Sequence, residues 1–168
     1  DVITILDMEL NFTYVSPSVK KLRGFTVQES MEQTIDQIMT PESFQRLSEV
    51  FVEELNLEQS GTADPDRTRI IELEEYKKDG STIWVENTAS FIRDNDKKPS
   101  GILVISRDIT KRKKSEEALR ESQNILTIIG QMAKIGGWEL YPETMKVTWT
   151  DETYRIHEVS KSIKPPLD

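Results

Sequence analysis

The chain opens on a nearly unbroken apolar run, Val2-Ile3-Thr4-Ile5-Leu6-Asp7, which reads as a buried strand. Phe12-Thr13-Tyr14-Val15-Ser16 reads as its partner across a turn at residues 8–11. Pro17 then suits the first position of a short helix with Ser16 as its cap, Val19 and Leu22 on its apolar side and Gly24 at its end. Thr26-Val27-Gln28-Glu29 has capping-box spacing and predicts a second short helix. Residues 33–40 read as a connection carrying Ile35, Ile38 and Met39. From Thr40-Pro41 onward Phe44, Leu47, Phe51 and Leu55 recur at helical spacing, with Val50 beside them. The polar stretch 60–66 ends that helix.

Three strands are predicted next. The first spans 69–78 and turns at Asp79-Gly80 into the second, 82–93; a polar turn at 94–100 leads to the third, 101–110. Two strands, several helices and a three-strand meander predict one five-stranded antiparallel sheet with helices on one face, an α+β domain over residues 1–110.

After Thr110 the pattern changes. Ala118, Ser122, Ile125, Ile129 and Met132 fall at alternating spacings of four and three, widened by Leu119, Leu126 and Ala133. This heptad-like stripe predicts a coiled-coil-like linker helix within 111–135. Residues 136–168 then hold a predicted strand pair, 138–141 and 146–149, and a short helix from Asp151. The chain starts at Asp1 and ends on Lys164-Pro165-Pro166-Leu167-Asp168; both ends read as cuts, so a piece of a longer protein is expected.

Composition narrows the function classes. The 168 residues include no cysteine and one histidine. Disulfides, thiolate metal sites and thiol nucleophiles are therefore excluded, as is cysteinyl-flavin photochemistry. With 30 acidic and 22 basic residues the net charge is -8, which argues against nucleic acid as a partner. No run has the length or apolarity of a membrane span, and no signal segment opens the chain. On those grounds the expected location is the cytoplasm. No phosphate loop, metal-ligand cluster or Ser-His pair stands out, so this chain is expected not to be an enzyme.

The spread of short matches resembles the PAS sensor family. Tyr14-Val15-Ser16-Pro17-Ser18, Gly24-Phe25-Thr26, Lys78-Asp79-Gly80-Ser81 with Trp84-Val85-Glu86, and Gly101 to Arg107 closing on Asp108-Ile109-Thr110 carry that resemblance, over about residues 1–112. The helix after them is similar to the family's signalling helix. Gly137-Trp138-Glu139 and Val147-Thr148-Trp149-Thr150-Asp151-Glu152 resemble the opening of a second such module, truncated before its last strands. Such a piece cannot close a core by itself, and its strands are expected to be disordered, to pack on a neighbour or to pair with another chain.

The family binds small ligands between its helices and the inner sheet face, so parity along the strands selects candidates. Ile71, Leu73 and Glu75 share one face, as do Val85, Asn87, Ala89 and Phe91, and Ile102, Val104 and Ser106. Glu75, Asn87 and Ser106 are thus polar intrusions in apolar rows, with Val85, Phe91, Val104 and the helical Phe44 as apolar lining. By resemblance, flavin-binding members place polar contacts at equivalent positions. Two readings stand: a ligand pocket with convergent polar groups, or a Glu75 turned to water with Asn87 and Ser106 bonded to backbone.

Trp84 has the opposite parity and is expected to pack against the signalling helix or a partner subunit. Asp108 and Thr110 sit where sheet hands over to helix; the resemblance implies a hinge contact at Asp108, against a simple strand-end carboxylate. The basic run 111–114, followed by Glu116, Glu117 and Glu121, reads as a solvated helix start. His157 lacks the Arg-Thr-Pro continuation of a kinase phosphoacceptor and reads as a surface histidine. The first domain has no histidine, which excludes histidine-ligated haem there. The resemblance implies a sensory and dimerisation module of a sensor histidine kinase, paired through the 111–133 helix and the domain surface. The alternatives are a ligand-free structural spacer between proteins or the sensor module of a cyclic-di-nucleotide regulator.

Overall fold

Short polar turns between apolar runs set the strand order. In the computed structural model, which describes residues 1–61 and 64–165, β1 (Val2–Leu6) and β2 (Phe12–Val15) pair as a hairpin. The Asp7 carboxylate shapes its turn by accepting the Glu9 and Asn11 N–H groups at 3.0 and 2.8 Å. β3 (Arg69–Tyr76), β4 (Thr82–Arg93) and β5 (Pro99–Asp108) form the meander. β5 then pairs with β1, giving the order β2-β1-β5-β4-β3. The expected five-stranded antiparallel sheet is present, with the last strand at its centre. Positions 62–63 of the expected loop and the Pro166-Leu167-Asp168 end lie outside the described residues.

Four helices lie in the chain between β2 and β3: α1 (Val19–Arg23), α2 (Val27–Met31), α3 (Ile35–Ile38) and α4 (Pro41–Ser60). Ser16 does not cap α1. Its hydroxyl accepts the Ile3 N–H at 2.9 Å, tying the helix entry to β1, and Ser18 takes the position before the helix. Gly24 ends α1 with a positive φ of 86°, which glycine adopts without steric cost. The Thr26–Glu29 capping box opens α2 as its spacing predicts. The connection read at 33–40 contains α3, a single turn whose Gln37 side chain accepts the Thr34 N–H at 3.1 Å. Helices and sheet bury Leu6, Ile35, Ile38, Met39, Ile71, Leu73, Ile83, Val85 and Ile102 together, with Leu73 and Val85 nearly inaccessible.

The described chain divides into two units, Asp1–Lys113 and Lys114–Asp168. α5 (Thr110–Ala133) starts in the first and continues in the second. No α5 side chain is buried, and Leu119, Ile125, Leu126, Ile129 and Met132 are exposed. Beyond it β6 (Trp138–Tyr141) and β7 (Lys146–Trp149) form a two-stranded sheet, followed by α6 (Asp151–Ile156). The Thr150 hydroxyl accepts both the Gly137 N–H at 2.9 Å and the Thr153 N–H at 3.4 Å, docking α6 on the strand pair. Gly136 makes that approach possible, because a Cβ there would fall 2.6 Å from Thr153 Oγ1 and 2.9 Å from its Cα. His157 is exposed and stacks on Trp149 with ring centroids 4.9 Å apart.

Candidate functional site

Between the helices and the inner sheet face lies a cavity of about 140 Å³. Its floor follows from strand register: Ile71, Asn87, Ser106 and Val2 stand opposite one another across β3, β4, β5 and β1. Alternation turns these four to one face. Phe91, Ala89 and Val104 continue the floor, and Leu47, Val50 and Phe51 of α4 form the wall above.

The polar end is a buried cluster. Arg23 and Glu75 are 4% and 5% exposed, and Arg23 Nε lies 3.4 Å from Glu75 Oε2. The same Nε–H donates to the Tyr76 carbonyl at 3.0 Å, and Nη2–H donates to Gln33 Oε1 at 3.3 Å. Burial pushes the Glu75 carboxyl up, while Arg23 and an Asn87 side-chain hydrogen bond pull it back toward ionisation. Glu75 is therefore not turned to water. Asn87 Oδ1 and Ser30 Oγ are buried without a hydrogen-bond partner, and an orphaned buried polar atom costs roughly 1–3 kcal/mol.

At the far end Glu54, Arg67 and Arg69 line the cavity. Arg67 Nε–H donates to Glu54 Oε2 at 2.8 Å, and its Nη1–H to Glu58 Oε1 at 2.6 Å. Arg93 grips Glu58 with two bonds of 3.0 and 2.8 Å. Arg93 foremost, with Arg67, holds the Glu58 carboxyl down at about 2. This network fastens the C-terminal half of α4 to the ends of β3 and β4.

The strand-to-helix joint is built from residues of β4, β5 and α5. The Ile109 N–H donates to the Trp84 carbonyl at 2.9 Å, and the Trp84 N–H donates to Thr110 Oγ1 at 3.2 Å. Asp108 Oδ1 accepts the Thr110 N–H at 2.8 Å, starting the helix. Lys113 Nζ sits 4.9 Å from the centroid of the Trp84 ring and pairs with Glu72, as does Arg112 at 2.6 Å.

Of the residues singled out by sequence, Glu75, Asn87, Ser106, Phe91 and Val104 line the cavity. Val85 does not; it is fully buried in the core. Phe44 does not either, being 39% exposed. The buried side of the first α4 turn is Ser43, whose hydroxyl accepts the Glu74 N–H at 2.8 Å. Trp84, Asp108 and Thr110 meet at the joint. Arg23 and Ser30 went unforeseen: both sit on short helices, where strand parity gives no direction. Arg23 at the end of an apolar-sided helix was the one available signal. Among the described residues no group of three or more His, Cys, Asp or Glu is placed to hold a metal ion. No described helix is long and apolar enough to cross a membrane.

Comparison with known proteins places this geometry in context. The chain is 26% identical over 139 residues to the sensor histidine kinase TmoS of Ectopseudomonas mendocina, covering 83% of this chain and 14% of that protein. It is 22% identical over 146 residues to the probable diguanylate cyclase DgcE of Escherichia coli strain K12, covering 84% of this chain and 12% of that protein. The chain thus spans only a small part of the length of either relative. A solved sensory box histidine kinase/response regulator from Burkholderia thailandensis E264 superposes with a TM-score of 0.55 at 21% identity, covering 74% of this chain and 88% of that one. That likeness is one of fold. The model of the PAS domain matches residues 1–111, the sheet, its four helices and the first residues of α5, and by that match the chain belongs to the PAS domain family.

Proposed function

We propose that this chain is the sensory and dimerisation module of a larger signalling protein, with a sensor histidine kinase as the output. A cyclic-di-nucleotide regulator is the alternative output, since the relatives include both kinds of protein. The chain performs no chemistry itself and works in the cytoplasm. The observation that carries the reading is the continuity of β5 with α5. Ser106 on the cavity floor and Thr110 at the head of the helix belong to one uninterrupted backbone. A change in what the cavity holds is felt by β5 and reaches α5 through Asp108 and Thr110. The apolar stripe of α5 then pairs with its copy in a second chain, and the shift is transmitted as a change in helix rotation or register.

Native mass spectrometry of the purified chain, with an absorption spectrum of the same sample, tests this. A dimer with a discrete extra mass is the expected result. A monomer with no added mass at any concentration overturns it. The Arg23–Glu75 pair, which fills part of the polar end by itself, favours a second reading, a ligand-free spacer; a clean dimer without added mass would select that reading.

A further inference from the structure

Resting on the ligand-sensing reading, we propose that the cavity selects a small neutral molecule with a body of about one six-membered ring and one hydrogen-bond donor aimed at Asn87 Oδ1. Size is the first ground. The cavity holds about 140 Å³, close to the ~150 Å³ of an apolar cavity that takes up benzene. It lies well below the ~300 Å³ at which pockets for drug-sized ligands begin.

Charge is the second ground. Each cationic group lining the cavity already faces a carboxylate: Arg23 with Glu75 at 3.4 Å, Arg67 with Glu54 at 2.8 Å and Arg69 with Glu53 at 2.9 Å. An anionic ligand would have to break one of these pairs, and a cationic ligand would have to capture one of their acids. Arg69–Glu53 is exposed, but at the buried Arg23–Glu75 pair and the largely buried Arg67–Glu54 pair stranding a charge in that way is costly, so a neutral molecule is favoured.

The orphaned atoms are the third ground. Asn87 Oδ1 is an acceptor only, and Ser30 Oγ accepts or donates; both are buried, lack partners and line the cavity. The carbonyl oxygen is the unpaired end of the Asn87 amide and is left for a donor on the ligand. A donor on the ligand removes an existing desolvation penalty, so it raises affinity more than the same group does in an ordinary site.

The test is an NMR titration of the 168-residue chain with phenol, benzene, anisole and benzoate. Phenol is expected to bind about tenfold tighter than benzene, with shifts centred on Ser30, Asn87 and Ser106. Benzoate should bind more weakly than phenol. Anisole, which keeps the oxygen but loses its proton, should fall to the level of benzene. Asn87→Leu should cut the phenol advantage to about twofold or less; the probe series on the unaltered chain decides the matter even if that variant does not fold. Benzene equal to phenol would overturn the donor requirement while leaving a ligand cavity in place. Benzoate or flavin mononucleotide binding tighter than phenol would overturn the neutral, one-ring class while leaving the sensor reading intact. If no probe binds, the class is wrong, and the mass of any co-purified ligand decides separately whether the sensor reading falls with it.

Discussion

The two units of the chain use similar apolar strand sequences to different effect. In the first, β3 and β4 alternate buried and half-buried residues over 71–76 and 83–88, and Leu73 and Val85 are sealed from water. In the second, every residue of β6 is exposed, with Trp138 at 69%. A hairpin buries its residues only when a sheet and helices cover one face. The first unit has five strands and four helices to do this; the second has two strands, one short helix and most of α5, none of whose side chains is buried. The second shows caps and close contacts instead, such as the Thr150 hydroxyl accepting the Gly137 and Thr153 N–H groups.

Truncating one leucine in each unit is the strongest way to break that comparison. Leu73→Ala should lower the unfolding free energy by about 2–5 kcal/mol, read by urea denaturation. Leu140→Ala, on an exposed strand, should change it by no more than about 0.5 kcal/mol. Equal losses would mean that β6 is covered in solution.

Glu58 sharpens the contrast within the first unit. Glu58→Gln loses charge-assisted bonds to Arg67 and Arg93 and should cost about 1–3 kcal/mol. Its carboxyl is lowered from 4.5 to about 2, so the native state gains stability above the ordinary value. That gain is fully present above pH 4.5 and disappears as pH falls toward about 2. Thermal melts across this window should show a shallower acid loss in the Gln variant than in the parent.

Thr110→Val removes the acceptor for the Trp84 N–H and should cost about 1 kcal/mol. Hydrogen exchange should quicken at Trp84 and in the first turn of α5 but not at Leu73. The smallest effect belongs to Glu72, half-exposed and paired with Arg112 and Lys113. Glu72→Gln should cost under about 1 kcal/mol, and the difference from the parent should vanish near ~1 M salt.

Much of this was legible in the sequence, for reasons that also explain the failures. The sheet could be read because alternation in β3, β4 and β5 and the Asp79-Gly80 turn are local signals, and the same parity picked out Glu75, Asn87 and Ser106. Ser16 was misread because two partners compete for its hydroxyl, and β1, distant in register terms, takes it. α3 escaped notice because one turn is too short for a period to appear; the Thr34–Gln37 spacing was its only mark. Phe44 misled because apolarity alone placed it on the inner stripe, whereas α4 presents Ser43, Leu47, Val50 and Glu54 inward. A buried serine and a half-buried glutamate do not register in an apolar pattern. Arg23 and Ser30 are fixed by tertiary contact and leave no periodic trace.

The length of α5 has a mechanical consequence. Its 24 residues extend about 36 Å at ~1.5 Å per residue. The joint at Asp108-Ile109-Thr110 is therefore the pivot of a long lever. A tilt there of about 5°, too small to disturb the hydrogen bonds of β5, carries the last turn sideways by about 3 Å, over half the ~5.4 Å helical pitch. A small change of angle at the joint is thus magnified along the helix to a displacement comparable to a side chain.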